Sequence, residues 1–102
     1  MDKKKLRYAI LKVLEEKKDP FNVLVSESIS DSEVFEQGRF LQRESYITKN
    51  HYADDTIYIW GDLTEKGEDY LQENSKLSKA YAMAKELRDW FPFMKGWKYY
   101  LR

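Results

Sequence analysis

Arg39 and Arg43 stand four residues apart in a segment of helical period, one turn from each other on its outward face. Guanidinium groups at that spacing could span a phosphate or the edge of a guanine. Lys49, and Lys3, Lys4 and Lys5 at the start of the chain, join them as candidate nucleic-acid contacts. The same neighbourhood carries the opposite charge. Asp31, Glu33, Glu36 and Glu44 leave the helix negative overall, Asp54, Asp55 and Asp62 crowd the segment after it, and Glu36 can pair with Arg39 three residues on. Affinity for nucleic acid rests on neutralising phosphates, so this surface would repel as many as it attracts. The N-terminal lysines are better placed for an anion, because cations in the first turn of a helix oppose its dipole and an arriving phosphate would relieve the conflict. The plain alternative is that they solubilise a short N-terminus.

Few other groups have the spacing of a catalytic or metal site. His51 is the single histidine, and the three or four converging ligands that a metal requires are not spaced around it, so it reads as a solvent-facing strand residue. Asp54-Asp55 reads as turn chemistry more than as a catalytic carboxylate pair, since Asp tolerates left-handed backbone and bonds its own neighbours. Ser26, Ser28 and Ser30 have no base in a recognisable arrangement, and the four glycines form no phosphate-cradling loop. The absence of Cys removes disulfides, thiolate nucleophiles and thiolate zinc sites. The expectation is a chain that binds and does not catalyse, with no metal, cofactor or evident small-molecule ligand.

Aromatic residues make up 16% of the chain, more than the core of one small domain requires, so some belong to a surface that a partner covers. Phe35, Tyr58 and Trp60 are candidate contacts of this kind. Leu77, Ala80, Tyr81, Ala84, Leu87 and Phe91 form a stripe at helical period, and Leu77, Tyr81 and Ala84 within it suit either a dimer seam or a cover over the chain's own first helix. Farther on, Trp97, Tyr99 and Leu101 alternate with Lys98, Tyr100 and Arg102. That alternation fits an edge strand packed on the core or on a partner subunit, and it also holds the ingredients of a stacking platform for single-stranded bases.

The elements that must position these groups follow from periodicity and caps. Leu6, Ala9, Ile10, Val13 and Leu14 mark an amphipathic helix that Asp2 can cap, and Asp19-Pro20 closes the region. Phe21 to Val25 reads as a short strand or extended linker, and Ser26 to Ile29 as one loose helical turn. Ser30 to Glu33 fits a capping box for a helix over residues 32–44, with Val34, Gln37, Gly38 and Leu41 on one face and Gly38 close to the first helix. Residues 46–52 and 56–63 alternate as strands around a turn at Asp54-Asp55, with Ile57, Ile59 and Leu63 on one face and Tyr58 and Trp60 on the other. Thr64 then caps a further helix, Asn74-Ser75 breaks it, and Pro92 stops the long helix that follows. Helix, hairpin, helix is the wiring of a winged helix, an α+β architecture with helices flanking a small antiparallel sheet.

One hundred and two residues suit a single domain over residues 1–91 with an aromatic and basic extension over 92–102. At 42% apolar and 35% charged, the composition is that of a globular chain with a charged surface. No apolar run approaches the length of a membrane span, and the basic start lacks the uninterrupted apolar stretch and cleavage site of an export signal, so the cytoplasm is expected. The formal net charge is zero, but residues 1–18 hold seven Lys/Arg against three Asp/Glu and residues 76–102 seven against two. Residues 19–45 and 46–75 reverse this, with two against six and two against seven. Basic ends flank an acidic middle, and the acidic middle is the part a winged helix would present to DNA.

Several stretches carry a family resemblance: Met1 to Lys12, Phe40 to Glu44, Tyr46-Ile47, Tyr52 to Asp55, Leu63 to Gly67 and Ala84 to Trp90. On these the chain resembles the YjcQ-like family, small proteins of Gram-positive bacteria and their prophages, over roughly residues 1–90. The resemblance implies a winged-helix-like α+β fold and no known activity. Ser45 departs from the Gly typical of such helix ends, where a left-handed cap would cost about 1 kcal/mol, and the tail after Phe91 lies beyond the usual end. The expectation is therefore a non-catalytic binding module that meets a protein partner or a second copy, phage-related through its family. The alternative is a DNA-binding regulator that uses the helix over 32–44 and the hairpin over 46–63.

Overall fold

Pro20 and Ser45 decide how the first half of the chain turns. In the computed structural model, which describes residues 1–85, α1 spans Lys3–Glu15 and begins where the Asp2 side chain accepts the Lys5 N–H. It ends in a Schellman motif, with Lys17 left-handed at φ 61° and the Lys18 N–H returning to the Val13 carbonyl at 3.1 Å. Pro20 then opens a helix instead of merely closing one. It stands at the first position of α2 (Pro20–Leu24), where a missing N–H is no loss, and the Asp19 side chain caps the helix by accepting the Phe21 N–H at 2.8 Å. The strand or linker expected over Phe21 to Val25 is thus a helix, because Asp-Pro serves equally as a stop and as a start.

Ser30 caps α3 (Asp31–Arg43), which buries Val34, Gln37, Gly38 and Leu41 as the periodicity predicts. A second Schellman motif ends it, with Ser45 left-handed at φ 65° and the Tyr46 N–H bonded to the Leu41 carbonyl at 2.9 Å. The hairpin is shorter than the alternation suggests. β1 (His51–Ala53) and β2 (Thr56–Ile59) pair antiparallel, and an isolated bridge between Ile47 and Leu63 closes the base. The register slips between His51 and Tyr52, so that Tyr58 is unmatched and the inward phase moves by one residue. Ile57 faces the core, Ile59 is 51% exposed, and Trp60 turns inward, reversing the faces expected for the last two.

Thr64 caps α4 (Glu65–Glu73) by accepting the Gly67 N–H, and after a 3-10 turn at Ser75–Leu77 the chain is helical over residues 78–85. The architecture is α+β, with helices around a two-stranded antiparallel hairpin. The core centres on α1, against which α2, α3 and α4 all pack. Tyr8 and Leu11 are buried along with the expected stripe, since α1 is covered on several sides. Residues 78–85 cover another of those sides. Tyr81 and Ala84 are buried in the same core, Leu77 packs against it, and the Tyr81 hydroxyl donates to Glu16 Oε1 at 2.7 Å. That part of the stripe lies on the chain's own core, with Tyr81 and Ala84 buried and Leu77 partly so. Leu87, Phe91, Trp97, Tyr99 and the extension over 92–102 lie outside the described residues.

Two measurements test these contacts. Ser45 makes no side-chain bond among the described residues while bearing a left-handed backbone, so Ser45→Gly should raise stability by up to about 1 kcal/mol and the melting temperature by several degrees. An unchanged or lower midpoint in thermal unfolding would show that the turn carries no such strain. Burial, reinforced by the hydrogen bond to Glu16, pushes the Tyr81 phenol above its ordinary range. Its protonated form is favoured by folding, so its contribution is complete below about pH 10 and fades as pH climbs toward the raised value. Urea midpoints taken between about pH 9 and 12 should fall with pH, and less steeply in Tyr81→Phe. Tyr70, shifted the same way by burial, accounts for part of the remaining slope.

Candidate functional site

One polar side chain sets the hairpin against α3. Asn50 is fully buried between the two. Its Nδ2 donates to the Gly38 carbonyl in mid-helix at 3.2 Å, and its Oδ1 accepts the Gly61 N–H at 2.8 Å. Gln42 completes the arrangement, its Oε1 accepting both the Asn50 backbone N–H at 2.9 Å and the Tyr52 hydroxyl at 2.8 Å. Gly38 is needed because a Cβ there would meet Ile57 Cδ1 at 2.6 Å and the Trp60 ring at 2.7 Å. Its close approach is therefore to the hairpin, not to α1 as expected. At Gly61 a Cβ would collide with the Thr48 carbonyl.

With the hairpin so fixed, its inner face and the outward face of α3 enclose a groove of about 620 Å³ lined by Phe35, Arg39, Gln42, Arg43, Tyr52, Asp54 and Asp55. Phe35 and Tyr52 meet edge to face at 6.0 Å between ring centres and form its floor. Arg39 and Arg43 are exposed on the helical wall, while Asp54 and Asp55 make the two-residue turn at the hairpin tip, Asp54 with the left-handed backbone (φ 53°) that Asp tolerates. No ion pair within 4.0 Å joins either arginine to either aspartate among the described residues. Arg39 lies over the Phe35 ring at 5.8 Å and does not pair with Glu36 as its spacing suggests; Arg43 pairs with Glu44 at 3.6 Å.

The remaining candidates are scattered. Lys3, Lys4 and Lys5 are exposed on the first turn of α1, with Lys5 3.8 Å from the Asp2 carboxylate, and none lines the groove. The Lys5 backbone N–H holds the Asp2 carboxyl below its usual range. Lys49 is exposed outside the groove as well. Tyr58, 60% exposed, occupies the outer face of the hairpin beside His51. Trp60 is not a free contact surface. Its ring packs on Gly38 and stands 5.6 Å from Phe21, and its indole Nε1 is enclosed without an acceptor among the described residues.

A second cluster was not foreseen from the sequence. Arg7 of α1 lies 3.6 Å over the Phe40 ring and donates from Nε to Gln37 Oε1 at 2.7 Å, with Arg43 at 5.4 Å from the same ring. Phe40 stacks on Tyr46, over which Lys66 sits at 4.4 Å while it donates to the Glu44 carbonyl at the end of α3. Three cations from three helices thus rest on two adjoining rings. Only the tertiary fold joins them, although Arg7 and Phe40 each stand on the boundary between an apolar and a polar face.

The chain matches the model of the YjcQ protein family over residues 8–90. It is also 46% identical over 96 residues to "Uncharacterized protein YjcQ" of Bacillus subtilis (strain 168), covering 88% of this chain and 98% of that one. The chain belongs to the YjcQ family. No solved structure matches it. Among the described residues of this family member, no helix is long and apolar enough to cross a membrane.

Removing the Asn50 amide tests whether it fixes the groove. Asn50→Ala leaves the Gly61 N–H without its partner and Gly38 with one bond fewer, so unfolding free energy should fall by about 2–4 kcal/mol. A loss under about 0.5 kcal/mol, the range of an ordinary surface change, would mean that water replaces both bonds and the amide is no clamp.

Proposed function

We propose that this YjcQ-family chain is a non-catalytic binding module of winged-helix type that takes a protein partner on the face formed by α3 and the hairpin. The observation that carries this is the mixed charge of the groove. A winged helix that grips DNA sets its wing tip beside phosphates, whereas here the tip is Asp54 and Asp55 and the recognition-helix position pairs Arg39 and Arg43 with an aromatic floor. Such a groove suits a polypeptide that brings both signs of charge and an apolar group between them. A cysteine-free chain suits the reducing cytoplasm, and the family resemblance makes a phage or prophage component a natural partner class.

DNA binding is the second reading, favoured by one observation. Arg7, Arg43 and Lys66 gather beside the C-terminal end of α3 on the Phe40–Tyr46 rings. A photo-crosslinking residue in place of Tyr52, with titration of labelled duplex DNA in parallel, separates the two. The protein reading expects discrete protein adducts that Arg39→Glu removes, and no duplex binding at about 50 mM salt. Duplex binding that weakens steeply with salt and disappears in Arg39→Ala plus Arg43→Ala would overturn it.

A further inference from the structure

A smaller hollow of about 260 Å³ lies between the start of α1, the loop from α2 to α3 and the helix over residues 78–85. Its base is apolar and closed, with Ile29 and Ala84 only 2% and 3% exposed. Its sides are apolar and open, with Met1 40% exposed and Met83 63%. Soluble chains seldom leave large apolar groups gathered in the open unless something covers them. The loop wall is held in place by its own bonds. Ser26 Oγ accepts the Ser28 N–H at 3.1 Å, and the Ser26 N–H donates to the Ile29 carbonyl at 2.9 Å.

The sequence that follows has the composition and the reach to cover this hollow. Ala80, Met83 and Ala84 all line it, so the chain passes beyond the described residues, after Lys85, from its rim. Leu87, Trp90 and Phe91 continue the same face at helical period in the sequence, and Pro92 interrupts that period. A helix from Met83 to Pro92 advances about 14 Å, and an extended segment from Pro92 to Trp97 measures about 16 Å. A chain that reverses at Pro92 therefore brings Trp97 back level with Met83. From there Trp97, Tyr99 and Leu101 fall on one side of an extended segment, and Lys98 and Arg102 on the other, which suits one side to the hollow and one to water. We propose that residues 93–101 fold back over this hollow of their own chain, with the Trp97 ring seated between Met1 and Met83. Thioethers are good neighbours for such a ring, being polarizable and able to adapt their shape. Because the segment is tethered at the rim, its effective concentration there far exceeds that of a separate peptide. This seat is independent of the groove between α3 and the hairpin.

The absence of Cys from the chain makes the seat measurable. Ser28→Cys on the loop wall, combined with Lys98→Cys beside Trp97, gives a pair for a short bismaleimide crosslinker. Asp55→Cys with Lys98→Cys, on the other groove, gives the reference pair. Ser28 and Asp55 are both exposed, and Ser28 bonds Ser26 through its backbone N–H, which a cysteine keeps. Crosslinking within one chain should be at least about tenfold faster in the Ser28 pair than in the reference, and independent of protein concentration. Adding Met83→Lys or Trp97→Ala to the Ser28 pair should return the rate toward the reference, whereas Trp97→Phe should keep most of it. Met83 is exposed among the described residues, so Met83→Lys disturbs the seat and not the core, and a thermal melt checks that the variant folds. Equal rates in the two pairs, or a fast pair that neither Met83→Lys nor Trp97→Ala slows, would overturn the proposal. Crosslinked dimers whose yield grows with protein concentration would overturn it as well, by assigning the hollow to the segment of a second copy.

Discussion

Asn50 joins two backbones that have no way of bonding each other directly. The carbonyl of Gly38 lies inside a helix and the N–H of Gly61 lies in a chain that has left its strand ladder, yet a single carboxamide has a donor for one and an acceptor for the other. Around it the ladder is already irregular. Thr48 and Asp62 bond each other through a backbone N–H and a side-chain hydroxyl, and the register slips just past the amide. Each of these bonds contributes only about 1 kcal/mol net, but leaving a buried group unmatched costs about 1–3 kcal/mol, so the clamp works chiefly by excluding other placements of the hairpin. Gly38 and Gly61 belong to the same device, since a side chain at either would push apart the elements that the amide draws together.

That constraint produces the surface on which the functional argument depends. An isolated two-stranded hairpin is at best marginally stable in water. This one is held at its base by the Ile47–Leu63 bridge, in its middle by Asn50, and toward its tip by buried Ile57 and by the contact of its partner Tyr52 with Phe35 and Gln42. Asp54 and Asp55 turn the chain just beyond the Ala53–Thr56 pair. On the helical wall Arg39 and Arg43 lie over the Phe35 and Phe40 rings, and Asp54 and Asp55 line the same groove from the hairpin turn.

Much of this was legible in the sequence because it rests on local chemistry. Asp2, Ser30 and Thr64 cap their helices by bonding the backbone three residues on, a relation of spacing alone, and the α+β order follows from the periodicities between them. What escaped depends on distant partners. The unmatched Tyr58 exchanged the faces of Ile59 and Trp60, and a register slip leaves no mark in an alternating pattern. Asp19-Pro20 was ambiguous in itself, and only the burial of Pro20 and Leu24 shows it opening a helix. Arg39 and Arg43 were found with their outward direction, but the groove was not, because its other wall depends on Asn50. A signal for the amide was present all the same. Gly38 lies in mid-helix and Gly61 between strand and helix, where neither cap nor tight turn calls for glycine, and two such residues imply a close approach of backbone.

The charge arrangement also bears on how the surface is reached. The groove holds two arginines and two aspartates, so beyond one Debye length, about 10 Å at 0.1 M salt, the two signs largely cancel and little field remains to steer an approaching molecule. Selectivity must then arise at contact, from which charge meets which and whether a ring is covered. A polyanion, drawn in by long-range attraction and held by many equivalent phosphates, gains little from such a surface. A polypeptide of alternating sign is in the opposite position, since wrong registers set like charges together and the right one satisfies both walls at once. The Arg7–Phe40–Tyr46–Lys66 cluster does not upset this balance. Its guanidinium and ammonium groups already lie against rings, Gln37 and the Glu44 carbonyl, where they fasten α1 and α4 to the end of α3. An anion arriving there would compete with contacts that hold the helices together.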